Sequence, residues 1–176
     1  TLSVKMGMLM FPNREQLIKQ MTDYVINVLE EKRPEFSGFA VCPFVKADRV
    51  SDQLFLHIFD NTKETLLDVV LAFVRSGKRS ALIGQPNEDI LASETRGYQD
   101  FINLVLEESG NGNITALCFS PKTTKSIDGY SPYAEAPFFM INLAYDKDLT
   151  KARKSLLKTK YYDNLPPDYK KYLNVK

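Results

Sequence analysis

The chain has 176 residues, 44% hydrophobic and 26% charged, ordinary values for a protein able to bury one core, which excludes a disordered or fibrous chain. With 23 Lys+Arg against 22 Asp+Glu the net charge is +1, so the overall balance carries no signature of a nucleic-acid partner. The two cysteines, Cys42 and Cys118, are too few for a disulfide-stapled secreted domain, and no apolar run is long enough to span a bilayer. A cytoplasmic protein with both thiols free is expected.

Residues 1–12 read as a leader and 13–176 as a single α/β domain. The apolar run Met6 to Phe11 is too short for an export signal. From Asn13 to Lys32, Leu17, Ile18, Met21, Tyr24, Val25, Val28 and Leu29 fall on one helical stripe. Asn13 and Gln16 form a capping box and Pro34 a stop. Leu54 to Phe59 is apolar on both alternating faces, which predicts an interior strand with His57 buried. Asn61 with Glu64 reads as the cap of a helix through Val74 that ends at Gly77. Ser80 to Gly84 is a second strand, Ser93 the cap of a third helix, and Ile114 to Phe119 a third strand. A long loop, Ser120 to Ala136, leads to a fourth strand, Phe138 to Leu143. Asp148 then caps a last helix, and an extended tail follows. The order is an N-terminal helix followed by βαβαββα. It predicts a small mixed sheet with helices on both faces, the first three strands parallel and the fourth antiparallel, with a thioredoxin-like arrangement as one candidate.

Candidate chemistry gathers at two places. Pro43 in a first helical turn would make Cys42 its N-cap, where the helix dipole, Lys46 and Arg49 would favour the thiolate. The competing reading makes Cys42 a small buried hydrophobe between Val41 and Phe44. Parallel first strands would gather Asp60-Asn61, Gln85 to Asp89 and Ser120-Pro121-Lys122 at their carboxyl edge, where ligands of open α/β sheets bind. The long loop leaves from that edge. One histidine and two scattered cysteines do not make a zinc site, and no glycine-rich phosphate loop or nucleophile elbow is present. No cofactor or metal is therefore expected.

Three segments together carry a resemblance: Val41-Cys42-Pro43-Phe44-Val45-Lys46-Ala47, Cys118-Phe119-Ser120-Pro121 and Tyr130-Ser131-Pro132-Tyr133. Their order resembles the Cys-Pro-Phe, Phe-His-Pro and Ser-Pro-Tyr-Pro motifs of the uncharacterised bacterial domain-of-unknown-function family 1415. Ser120 stands where that family has histidine, Ala134 where it has proline, and residues 138–143 lack the family's later histidine. The resemblance implies a site but no reaction.

Two functional readings follow. One is an enzyme-like pocket for a small molecule, with Cys42 catalytic and Ser120, Lys122, Ser131 and Tyr133 binding, which requires the Cys42 and Ser131 corners to meet. The other is a non-catalytic binding or assembly domain in which those segments are structural corners. Neither reading involves nucleic acid or a membrane, and the oligomeric state is open.

Overall fold

A computed structural model describes residues 13–172 apart from 88 and 124; the expected leader lies outside the described residues. The first helix, α1 (Arg14–Tyr24), begins where the capping box predicts: the Gln16 amide donates to Asn13 Oδ1 at 2.9 Å and the Asn13 amide to Gln16 Oε1 at 3.1 Å. It continues as a wider π turn, Val25–Leu29, so the predicted single helix to Lys32 ends early. Pro34 opens a short 3-10 turn, Pro34–Phe36, rather than simply stopping a helix. The following elements are α2 (Val45–Val50), β1 (Leu54–Ile58), α3 (Leu66–Ser76), β2 (Ser80–Gln85), α4 (Thr95–Glu108) and β3 (Ile114–Phe119). A second 3-10 turn, Tyr133–Glu135, precedes β4 (Phe139–Tyr145), α5 (Asp146–Leu156) and α6 (Pro167–Tyr172).

The fold is α/β with a four-stranded mixed sheet in the order β1-β2-β4-β3. β1 pairs parallel with β2, while β4 pairs antiparallel with both β2 and β3. The first three strands therefore run in one direction and the fourth opposes them. A thioredoxin-like sheet has its third strand opposed to the first two; here β3 runs with them, so that arrangement does not apply. β1 is an edge strand, which corrects the expected interior position. Its two-sided apolarity reports two covered faces and says nothing about lateral neighbours: Leu54 and Ile58 join the layer under α1, and Phe55 packs on Phe73 of α3.

Two hydrophobic layers flank the sheet. On one side, Met21, Tyr24, Val25 and Leu29 meet Leu54, Ile58, Leu82, Phe119 and Met140, with Leu156 and the tail. On the other, Val69, Val70 and Phe73 of α3 and Ile102 and Leu106 of α4 cover Ala81, Ile83, Phe139, Ile141 and Leu143. Each fully buried large side chain contributes about 1.5–3 kcal/mol. The tail is part of this core and not an extended surface wrap, because Tyr161, Tyr162 and Leu165 are buried in the α1 layer.

Three helix starts differ from the expected caps. α3 is capped by Thr65 and Asp68, not by Asn61 and Glu64, and it ends as expected at Gly77 with φ +67°. Glu94, not Ser93, occupies the cap position of α4, and its carboxylate accepts the Leu91 amide at 3.0 Å. Tyr145, not Asp148, precedes the first turn of α5. α4 also closes the outer edge of β3. Asn103 exchanges hydrogen bonds with the Ala116 backbone, and Gln99 Oε1 accepts the Cys118 amide at 2.9 Å. Side chains thus satisfy an edge that would otherwise be open to strand addition.

Candidate functional site

The carboxyl ends of β1 and β2 open into a cavity of about 770 Å³, whose walls include Arg14, Leu17, Phe59, Asp60, Lys63, Glu64, Pro86 and Asn87. Its size lies within the usual range for small-molecule sites. Asp60 and residues 86–87 are at the edge where the parallel-strand argument places a site.

His57 stands beside this cavity, near the end of β1, and its side chain is only 12% exposed. The ring stacks on Phe55 at 5.8 Å between centroids, as strand alternation requires. Its Nδ1 lies 3.2 Å from Arg14 Nη2, and its Nε2 lies 2.7 Å from Glu64 Oε1. A guanidinium can only donate, so Nδ1 accepts and carries no proton; Nε2–H then donates to the carboxylate. The pair of contacts defines one tautomer of the neutral ring. Arg14 itself forms no ion pair with any carboxylate among the described residues; its contact is with a neutral nitrogen.

The anions of the cavity are held differently. Asp60 accepts the Thr62 hydroxyl at 2.6 Å and the Thr62 amide at 3.0 Å, and pairs with Lys63 at 2.9 Å. The Thr62 hydroxyl bond, then Lys63, hold its carboxyl down to about 2. A depressed carboxyl stabilises the fold above the unfolded value of about 4, and that contribution disappears as pH falls through the folded value. Unfolding midpoints measured between pH ~4 and ~2 should therefore fall more steeply for the native chain than for Asp60→Asn, and parallel curves would refute this.

Cys42 lies elsewhere. It lines a second cavity of about 520 Å³ between α2 and α5, with Ser80 at the amino end of β2 and Asn142 and Ala144 of β4. Phe44, not Cys42, stands at the cap position of α2, and the Val45 and Phe44 amides at that helix start bond the thiol and favour its thiolate, but burial outweighs them. Arg49 is occupied by Glu30, through Nε–Oε1 at 2.5 Å and Nη2–Oε2 at 2.9 Å. Burial, with smaller contributions from Asp48 and Glu30, pushes the Cys42 thiol up. The expected depressed thiol does not hold.

Ser120, Lys122, Ser131 and Tyr133 line neither cavity. Ser120 is a loop staple: its hydroxyl donates to the Ile90 carbonyl at 3.2 Å and accepts the Lys122 amide at 3.1 Å. Lys122 pairs with Asp89. Tyr133 is a core ring, 5.0 Å from Phe119 between centroids, and the Pro132 carbonyl beside it accepts the Tyr24 hydroxyl at 2.9 Å. Ser131 Oγ is enclosed without a hydrogen-bond partner among the described residues. Since β2 and β3 run the same way, Cys42, which shares a cavity with Ser80 at the start of β2, and Ser120 after β3 are at opposite ends of the sheet. The cavity bordered by Cys42 includes neither Ser131 nor Tyr133.

Neither cysteine forms a disulfide, and Cys118 is fully buried. No cluster of three or more His, Cys, Asp or Glu side chains suited to a metal occurs among the described residues, nor any helix long and apolar enough to cross a membrane. The chain matches no family model, no curated protein and no solved structure.

The Arg14–His57–Glu64 constellation is not recognisable in the sequence as a motif. Glu64 fits the Asn-x-x-Glu pattern of a cap, and Arg14 is separated from His57 by 43 positions.

Proposed function

We propose that this domain binds a small molecule carrying a carboxylate or phosphate group in the cavity at the ends of β1 and β2, with Arg14 receiving the anion. The observation that carries the reading is the Arg14 guanidinium, which contacts a neutral ring nitrogen while forming no ion pair with the described carboxylates. An incoming anion offers Arg14 a charge-assisted bond roughly twice as strong as a neutral one. Once Arg14 leaves, His57 Nδ1 is open to accept a proton from the ligand. Glu64 holds the opposite Nε2–H and stabilises the resulting imidazolium. The same constellation thus supplies anion recognition and a proton acceptor next to it.

Titration calorimetry with inorganic phosphate and with succinate tests the reading. At least one should bind saturably and raise the unfolding midpoint, by about 2.7 kcal/mol of stability at a hundredfold excess over Kd. Arg14→Ala should weaken that binding at least about tenfold. Absence of binding by both anions, or equal binding by Arg14→Ala, refutes it.

A further inference from the structure

Central strands normally present bulky apolar side chains to a covering layer, and β4 does so on its α3–α4 side with Phe139, Ile141 and Leu143. On its other side, toward the amino end of β2, it presents Asn142 and Ala144 beside Ser80. The space these small and polar residues leave is the 520 Å³ cavity, closed by α2 and α5. Its polar groups are organised. Asp48, 7% exposed, accepts Ser80 Oγ at 2.7 Å and Arg79 Nη1 at 3.1 Å, and Asn142 donates one amide hydrogen to the Ala81 carbonyl at 3.3 Å. Valine or leucine at 142 and 144 would fill the space and remove the cost of placing an amide there.

Lys151 and Ser155 of α5 line this cavity and also a neighbouring groove of about 500 Å³. Lys147, Thr150, Lys154 and Lys158 complete that groove. Lys147, Lys151 and Lys154 recur at helical spacing over a rise of about 10 Å, Lys158 follows two residues past the end of α5, and none of the four forms an ion pair among the described residues. Like charges so arranged destabilise a helix by a few tenths of a kcal/mol per pair, a cost that a bound polyanion removes. Six cations against one acid occupy 147–160, in a chain whose net charge is +1.

We propose that the cavity and the groove form one site for a phosphorylated small molecule. Its uncharged, hydrogen-bonding part enters beside Asn142, and its phosphates lie on Lys151 and Lys154. This site is at the opposite end of the sheet from Arg14 and does not depend on the reading given above.

The test uses adenosine triphosphate and inorganic tripolyphosphate as probes. Equilibrium dialysis measures binding, and alkylation of Cys42, with buried Cys118 as internal control, reports occupancy of the cavity. Adenosine triphosphate should bind saturably and slow Cys42 alkylation at least tenfold, whereas tripolyphosphate should bind the groove with little protection. Lys151→Gln with Lys154→Gln should weaken both probes about tenfold. Asn142→Leu, or Ala144→Val should the first variant fold poorly, should weaken adenosine triphosphate alone. The proposal is overturned if neither probe binds, if both bind equally and the filling variants change nothing, or if affinity grows with the length of a single-stranded oligonucleotide. The last two results would make the lysines a general polyanion surface.

Discussion

Tyr161→Ala should destabilise the protein by about 3–5 kcal/mol, the cost of truncating a large aromatic side chain in a packed core. Tyr161 is 4% exposed although it belongs to the tail after the last long helix. Its ring lies 5.6 Å from Phe36, 6.0 Å from Phe39 and 4.9 Å from Tyr162 between centroids. Its hydroxyl donates to the Val41 carbonyl, fastening the segment that leads into Cys42. Tyr161→Phe keeps the packing and forfeits that bond, so its cost should be about 1 kcal/mol. Urea unfolding of the two variants separates the terms. A loss under 1 kcal/mol for Tyr161→Ala would show that the tail is not core.

Gly84→Ala should cost about 1–3 kcal/mol, the usual penalty for overpacking. The reason is close approach and not backbone conformation. A Cβ at Gly84 would stand 2.2 Å from Phe138 Cε2 and 3.0 Å from Met21 Sδ. Because Phe138 takes most of the clash, Phe138→Leu in the same chain should recover part of the loss, giving a non-additive double-mutant cycle. Additive losses in the unfolding midpoint would mean that the ring does not occupy that space.

The elements were largely legible because period and punctuation agree in them. α1 has a complete capping box, α3 ends at Gly77, and β3 runs over the predicted residues. Lateral position was not legible. β1 is apolar on both faces and yet an edge strand, since sequence alternation reports what covers a face and not what pairs along a side. The caps expected at Asn61, Ser93 and Asp148 differ in outcome: α3 takes Thr65 with a full capping box four residues on, whereas α4 and α5 start at Glu94 and Tyr145 with no side-chain cap bond to announce them. Glu64 shows the consequence for the site, because a carboxylate assigned to a cap instead bonds His57. The carboxyl-edge argument rests on strand direction alone: of the residues it gathers, Asp60 and residues 86–87 wall the cavity, while Ser120 to Lys122 do not. It could not supply Arg14, which arrives from a helix packed across β1. The lysines of α5 were visible in spacing but hidden by the whole-chain charge balance.

His57 is the only histidine in the chain, so a long-range proton–nitrogen spectrum of its ring contains one pattern to assign. That spectrum, recorded at alkaline pH, tests the proposed site most directly. The geometry predicts a proton on Nε2 and an acceptor signal from Nδ1. Adding phosphate or succinate should move the Nδ1 resonance saturably in the native chain and leave it unmoved in Arg14→Ala. A proton on Nδ1 in the free protein, or a ring whose resonances ignore both anions, would contradict the account.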